Sequence, residues 1–297
     1  MVPAIPRVSV SASNPPLLLD WRAQMARQRL GQHFLGDEGW REKIARAIRV
    51  SSHGIESTPS AKSAEICWIE IGAGHGEMTQ HLVQTGLPVY AIELDPLLTE
   101  RLRSLAKKHP NLTVVLGDVL ETDLAAVAQG RRIKIYGNLP YYITSPILHH
   151  FFQFASYIDE INLVIQLEVA ERLTAEPGTK SYGYLSVATQ FYTRPEFVLE
   201  LPPVAFTPPP EVDSALVTLR LPSAVALSEG FAPDDFLEFV KICFAQKRKT
   251  LANNLKPLHG TASVRELLES LAIRSDARAE QLSVRELIRL FEAISSK

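Results

Sequence analysis

A chain of 297 residues is about twice the usual length of one domain, so two domains or one enlarged domain are expected. Apolar residues make up 46% and charged residues 22%, which excludes a disordered chain, and no apolar run approaches the ~20 residues of a membrane span. Only two cysteines occur, Cys67 and Cys243, which excludes a disulfide framework and a cysteine zinc site, and the sequence reads as a soluble, cytoplasmic protein; its net charge of −2 averages over local basic segments.

Residues 1–20 are rich in Pro, Ser and Asn without periodicity and are expected to form a flexible tail. Residues 21–50 then carry seven Lys/Arg against three acids, Asp37, Glu38 and Glu42. Within them Trp40, Ile44, Ala47 and Ile48 recur at helical spacing and predict a helix over 37–50. The polar run 51–63 reads as a loop. Short apolar runs follow at Ile66–Ile71, Val89–Glu93, Thr113–Leu116, Ile133–Tyr136 and Leu163–Gln166, with helical patterns near 76–85, 96–108 and 145–155. Strands alternating with helices predict a parallel sheet covered on both faces, an α/β fold. Phe197–Leu201 and Ala215–Leu221 flank a proline-rich turn and are expected to finish the sheet as an antiparallel hairpin. Residues 221–230 have linker composition, and 233–297 show only helical periodicity. The expected domains are therefore 21–221, with the sheet, and a small helical domain at 222–297. A second basic run, Lys241, Lys247, Arg248, Lys249 and Lys256, contains no acid. Two such local segments can bind phosphate on a near-neutral chain; the alternative is a pair of solvated helix faces.

The first strand ends in Glu70-Ile71-Gly72-Ala73-Gly74-His75-Gly76-Glu77. Glycines at a strand-to-helix turn let backbone approach a ligand closely. The dinucleotide fingerprint would place its last glycine at 77, where Glu77 stands and would repel a pyrophosphate, so a NAD reading loses ground. The second strand ends in Glu93, 21 residues after Gly72, where a carboxylate can accept from a ribose diol; the third ends beside Asp118, within reach of an adenine amino group. Acids converging on the carboxyl edge suit a ligand with a ribose, an adenine and a positive charge but no phosphate, which describes S-adenosylmethionine. For each acid taken singly, a helix N-cap is the alternative.

The fourth strand runs into Asn138-Leu139-Pro140-Tyr141, the most specific signal in the chain. Pro140 stiffens the turn and biases Leu139 away from helix. The N6 nitrogen of adenine is a poor nucleophile, because its lone pair is delocalised into the ring. Two acceptors on its N–H bonds, Asn138 Oδ1 and the Leu139 carbonyl, would return that lone pair to nitrogen, and the Tyr141 ring would hold the base. A sulfonium is already an activated electrophile, so no metal is required. An ordinary Asx turn is the alternative.

These residues resemble the ribosomal RNA adenine N6,N6-dimethyltransferases, specifically the bacterial small-subunit group associated with kasugamycin resistance. The likeness runs from Arg29 to the C-terminus. It includes Gly31–Leu35, the glycine turn, Glu93, Asp118, Asn138–Tyr141, Gln166–Arg172, Phe206–Ser214 and Lys247–Leu255. The resemblance implies a Rossmann-like class I S-adenosylmethionine-dependent methyltransferase fold with a smaller all-helical C-terminal domain. It implies dimethylation of two adjacent adenines in the 3′-terminal stem-loop of 16S rRNA, within the small subunit, and a role in ribosome biogenesis. It places His33, Leu35, Gly72, Gly74, Glu93, Asp118 and Asn138 on the cofactor, and Phe206 across the target adenine from Tyr141. For Phe206, read from the residues alone, a core position before the proline turn is the alternative. RNA contacts are expected from Arg27, Arg29, Lys247, Arg248 and Lys249, in a groove where the two basic segments meet. No membrane or metal is expected, and the chain is expected to be a monomer. His33 and Tyr142 stand where many members have asparagine, and Leu167 where lysine is common. Large-subunit enzymes usually have isoleucine at the Leu139 position and lack the Phe206–Ser214 and Lys247–Leu255 stretches. A ribosome-assembly RNA-binding protein without catalysis, a 23S rRNA adenine dimethyltransferase and a NAD-linked oxidoreductase are the competing readings.

Overall fold

The computed structural model describes residues 33–50, 65–140, 142–259 and 261–295. The expected tail at 1–20, the 51–63 loop, Arg27, Arg29 and Tyr141 lie outside the described residues. Apolar β-prone runs bounded by turn residues become seven strands: β1 (Ile66–Ile71), β2 (Val89–Glu93), β3 (Leu112–Leu116), β4 (Arg132–Asn138), β5 (Ile158–Gln166), β6 (Arg194–Leu201) and β7 (Ser214–Arg220). They form one sheet in the order β3-β2-β1-β4-β5-β7-β6. The first five are parallel, and β7 runs antiparallel between β5 and β6. The chain steps outward from β1 to β3 and then returns to β4 on the other side of β1. That reversal opens a crevice at the carboxyl ends of β1 and β4.

Strand side chains alternate between two cores. Cys67, Ile69 and Ile71 of β1 face one layer, together with α4 (Leu124–Ala128), α5 (Thr144–Gln153) and α6 (Leu167–Thr174). Trp68 faces the other, together with α1 (Glu38–Val50), α2 (Thr79–Val83) and α3 (Pro96–Ala106). Helix α3 shows its local code plainly: Asp95 caps it by accepting from Leu97 N–H at 2.8 Å, and Pro96 supplies the first turn. Burying two layers of aliphatic side chains against one sheet is the main favourable term, at roughly 25 cal/mol per Å² of apolar surface. Polar groups at the centre of β5 are paired. Asn162 is fully buried, accepts from Thr218 Oγ1 at 2.8 Å and donates to Glu160 at 3.0 Å.

The rest of the chain packs around a third core. Phe236, Phe239 and Val240 of α8 (Pro233–Phe244) meet Leu251 of α9 (Leu251–Asn254), Leu268 of α11 (Thr261–Ser270) and Phe291 of α12 (Val284–Ser295), with α10 (Lys256–His259) between α9 and α11. This core also takes in Val187 and Phe191 of α7 (Tyr184–Tyr192), and Tyr182 just before it. It therefore draws residues from both sides of the expected boundary at 221/222. Helix α7 in turn packs on α5 and α6, and Tyr192 stacks on Phe152 with ring centroids 4.6 Å apart.

Several elements differ from expectation. The helix expected over 76–85 is confined to Thr79–Val83, because Gly72, Gly74 and Gly76 all take positive φ and prolong the turn. Helices α6 and α7 were not predicted as helices; their apolar stripes are short and follow directly on a strand end and a glycine. Strand β5 begins at Ile158 rather than Leu163, since Asp159, Glu160 and Asn162 are polar yet paired inside the sheet. Arg132 extends β4 by ion pairing with Asp159 at 2.5 Å. The 221–230 linker is irregular, as expected, but Val225 and Leu227 pack on the helical core.

Candidate functional site

The site forms at the carboxyl edges of β1, β2, β3 and β4. After β1 the chain turns through Gly72 at φ +65° and Gly74 at φ +60°, conformations that favour glycine. A Cβ at Gly72 would meet nothing within 4 Å, so this backbone faces open space, whereas one at Gly74 would stand 3.1 Å from the Phe34 ring. Glu93 closes β2 and is 5% exposed. Its carboxylate accepts Gly74 N–H at 2.8 Å on Oε2 and Asp95 N–H at 2.9 Å on Oε1. The expected ribose acceptor is thus also the group that fixes the glycine turn; each oxygen keeps a second lone pair. Asp118 accepts Leu120 N–H at 2.9 Å on Oδ1, so it is a cap, while Oδ2 has no hydrogen bond among the described residues. Cap and ligand acceptor are compatible roles for its two oxygens.

Asn138 ends β4 half-buried, and its Nδ2 donates to the His33 carbonyl at 2.8 Å. Leu139 is buried and its N–H donates to Val164 O at 3.0 Å, which carries the sheet ladder to the start of the turn at Pro140. His33 Nδ1 lies 2.7 Å from Pro208 O; that oxygen can only accept, so Nδ1 bears the proton. Leu35 is buried in the core beneath the turn. The structure therefore brings His33, Leu35, Gly72, Gly74, Glu93, Asp118, Asn138, Leu139 and Pro140 to one rim. Phe206 belongs to the same neighbourhood, but it is only 3% exposed and packs with Leu35 and Ala205.

Lys247, Arg248 and Lys249 lie elsewhere, in the turn after α8. All three are exposed, and Lys247 Nζ donates to Lys180 O at 2.8 Å. The described part of the first basic segment, α1, packs across the sheet from the layer that carries α7 and the helical core. The shared groove expected between the two segments is not found among the described residues. Each helix follows its own apolar stripe to a different core, which spacing along the chain does not reveal.

Glu70 carries no role in the sequence reading, although it stands as a lone carboxylate inside the apolar run of β1. It is 2% exposed and accepts from Thr79 Oγ1 at 2.6 Å. Burial, with the nearby Glu77 and Glu93 charges adding to it against the Thr79 hydrogen bond, raises its carboxyl to about 8. The Tyr136 hydroxyl, also buried, has no hydrogen-bond partner among the described residues.

The donor set fits S-adenosylmethionine: open backbone at Gly72, an acid at the end of β2 for a ribose, and an acid after β3 for an adenine amine. No group of three or more His, Cys, Asp or Glu able to hold a metal ion occurs among the described residues. No helix among them is long and apolar enough to cross a membrane.

Comparison with known proteins points to one family. A model of the ribosomal RNA adenine dimethylase family matches residues 23–296. The chain is 40% identical over 276 residues to ribosomal RNA small subunit methyltransferase A of Synechocystis sp., spanning 89% of this chain and 94% of that protein. It is 34% identical over 280 residues to the protein of the same name from Koribacter versatilis, spanning 90% and 93%. Among solved structures it is similar to the 23S rRNA methyltransferase ErmE, with a TM-score of 0.66 and 28% identity over 88% of this chain and 99% of that one. A dimethyladenosine transferase from Plasmodium falciparum shares the fold, with a TM-score of 0.70 and 24% identity over 87% and 96%.

Proposed function

The chain belongs to the ribosomal RNA adenine dimethylase family, and on that premise we propose how its sheet edge carries the family's reaction. Its fold is the Rossmann-like class I methyltransferase fold, and its activity is S-adenosylmethionine-dependent dimethylation of adenine N6 in small-subunit rRNA. The cofactor, when bound, supplies a methyl group on a sulfonium already activated for transfer to nitrogen.

Gly72 and Gly74 give the cofactor a bare backbone, Glu93 takes its ribose and Asp118 its adenine amine, with His33, Leu35 and Asn138 along the rim. Asn138 Oδ1 and the Leu139 carbonyl accept the two N–H bonds of the target amine and bring its lone pair out of the purine ring. Pro140 fixes that turn. Tyr141 and Phe206 hold the unstacked base between them; because Phe206 is buried, this role requires it to open toward the cleft as the base enters. No side chain has to act as a strong base, since the amine loses its proton only after it has gained the methyl.

The observation that carries this reading is Asn138: its Nδ2 end is committed to the His33 carbonyl, which leaves Oδ1 as the end available to an amine. Lys247, Arg248 and Lys249 supply phosphate contacts, with Arg27 and Arg29 from the N-terminal side. The finer assignments to 16S rRNA within the small subunit, a monomeric, metal-independent enzyme and a cytoplasmic location belong to the same proposal, as does the division into a methyltransferase domain at 21–221 and an RNA-binding helical domain at 222–297. The test is to incubate the chain with labelled cofactor and unmethylated small subunits and map the product by mass spectrometry. N6,N6-dimethyladenine in small-subunit rRNA is expected; label confined to another nucleotide, or none, contradicts the reading.

A further inference from the structure

One short run of backbone touches both halves of the site. Phe34 N–H donates to Thr207 O at 3.1 Å, and Thr207 N–H donates back to Phe34 O at 2.8 Å, an isolated antiparallel bridge. Asp37 N–H donates to Ala205 O at 3.2 Å, and His33 Nδ1 to Pro208 O at 2.7 Å. Arg41 Nη1 clamps the run from α1 by donating to Leu35 O at 2.9 Å and Gly36 O at 3.0 Å. On the cofactor side the Phe34 ring lies against Gly74 and 4.6 Å from the His75 ring. On the target side the His33 carbonyl holds Asn138 Nδ2.

An amide has one donating and one accepting end, and a carbonyl can only accept. The His33 carbonyl therefore decides which way the Asn138 amide points. We propose that residues 33–37 are a positioning strap: the His33 carbonyl orients Asn138 toward the target amine, and the seat of Gly36 against Thr207 sets where that carbonyl stands. Gly36 is the tightest point, since a Cβ there would stand 2.3 Å from Thr207 Oγ1 and 3.0 Å from Thr207 Cβ. The proposal rests on the role given to Asn138 above. It adds that, beside the cofactor contacts given to His33 and Leu35, the strap sets the orientation of Asn138 for methyl transfer and ties it to the turn bearing Phe206.

The test compares the full chain with Gly36→Ala, Gly36→Ala/Thr207→Gly and Arg41→Ala. Three quantities are measured: single-turnover methylation of small subunits at saturating cofactor, S-adenosylmethionine affinity by calorimetry, and the ratio of N6-monomethyl to N6,N6-dimethyladenine. Gly36→Ala should lose about 10²-fold in rate, the scale expected for a displacement near 1 Å. It should lose clearly more rate than cofactor affinity and accumulate the monomethyl product. Thr207→Gly should restore most of the rate in the double variant by removing the obstructing atoms. Arg41→Ala should lose about tenfold by releasing the strap without a clash, which keeps the test decisive should Gly36→Ala fail to fold. An Arg41→Ala variant with unchanged rate, a Gly36→Ala loss that the second substitution does not relieve, or an equal loss of rate and cofactor affinity overturns the strap alone. A wild-type chain that makes no dimethyladenine overturns the functional reading, and the strap with it.

Discussion

At the carboxyl edge of the sheet, Glu93 is buried and each of its oxygens is engaged by a backbone N–H, whereas Lys247, Arg248 and Lys249 stand in solvent at the end of a helix. The first region places few charges with high accuracy; the second places several with little constraint. Buried, hydrogen-bonded charge is strong and selective because it is not screened, and it suits a small cofactor and one amine. Exposed charge is weaker per residue and sensitive to salt, and it suits a long polyanion whose contacts add up. Damage to the first region should therefore act on chemistry or cofactor binding in large steps, and damage to the second should act on association in small ones.

The comparison breaks most sharply at Asn138. Asn138→Ala should lower single-turnover methyl transfer by about 10²- to 10³-fold, the usual cost of removing one preorganised polar group from a reacting centre, while calorimetry finds cofactor affinity largely kept. A parallel loss of both would make Asn138 a scaffold residue. Glu93→Ala should weaken S-adenosylmethionine binding by roughly 10- to 100-fold and destabilise the fold by about 1–3 kcal/mol, because the Gly74 and Asp95 N–H groups lose their acceptor; titration and thermal melts read these separately.

Neutralising Lys247, Arg248 and Lys249 together should leave the cofactor titration unchanged. Small-subunit affinity should fall, and the slope of log affinity against log salt should become shallower by about 2. An unchanged slope would place the RNA contact on another surface.

The gentlest test concerns Glu70. Its folded carboxyl is raised to about 8 from 4.5, so between those values the folded state keeps a proton that the unfolded chain has released. Stability contributed at low pH is therefore lost as pH rises through that window, by up to about 1.4 kcal/mol per unit. Glu70→Gln removes the titration while keeping an acceptor for Thr79. Melts from pH 5 to 8 should be flatter in the variant; an identical pH dependence would mean that the buried carboxyl is already ionised.

The same contrast explains what the sequence disclosed. Strands β1, β2 and β4 were legible because runs such as Ile66–Ile71 are apolar on both faces and end in distinctive turn residues. The rim residues Glu93 and Asn138 were legible because parallel strands deliver their last residues to one edge, whatever the loops between them do. Helices α6 and α7 were not, since each has fewer than three turns and its stripe merges with a neighbouring strand or turn. From the residues alone the proline turn already favours a core position for Phe206, whereas the Phe34–Thr207 bridge joins residues far apart in the chain and no local pattern encodes it. Glu70 was visible as a lone carboxylate in an apolar strand, but its pairing with Thr79 required the helix to start where the glycine turn lets it.

The most direct measurement is a crystal structure of the chain with S-adenosylhomocysteine and an adenosine-containing RNA. The account predicts the target N6 within about 2.7–3.2 Å of Asn138 Oδ1, with Nδ2 still on the His33 carbonyl. A purine bound away from Asn138, or an amide swung off His33 to donate elsewhere, would contradict it.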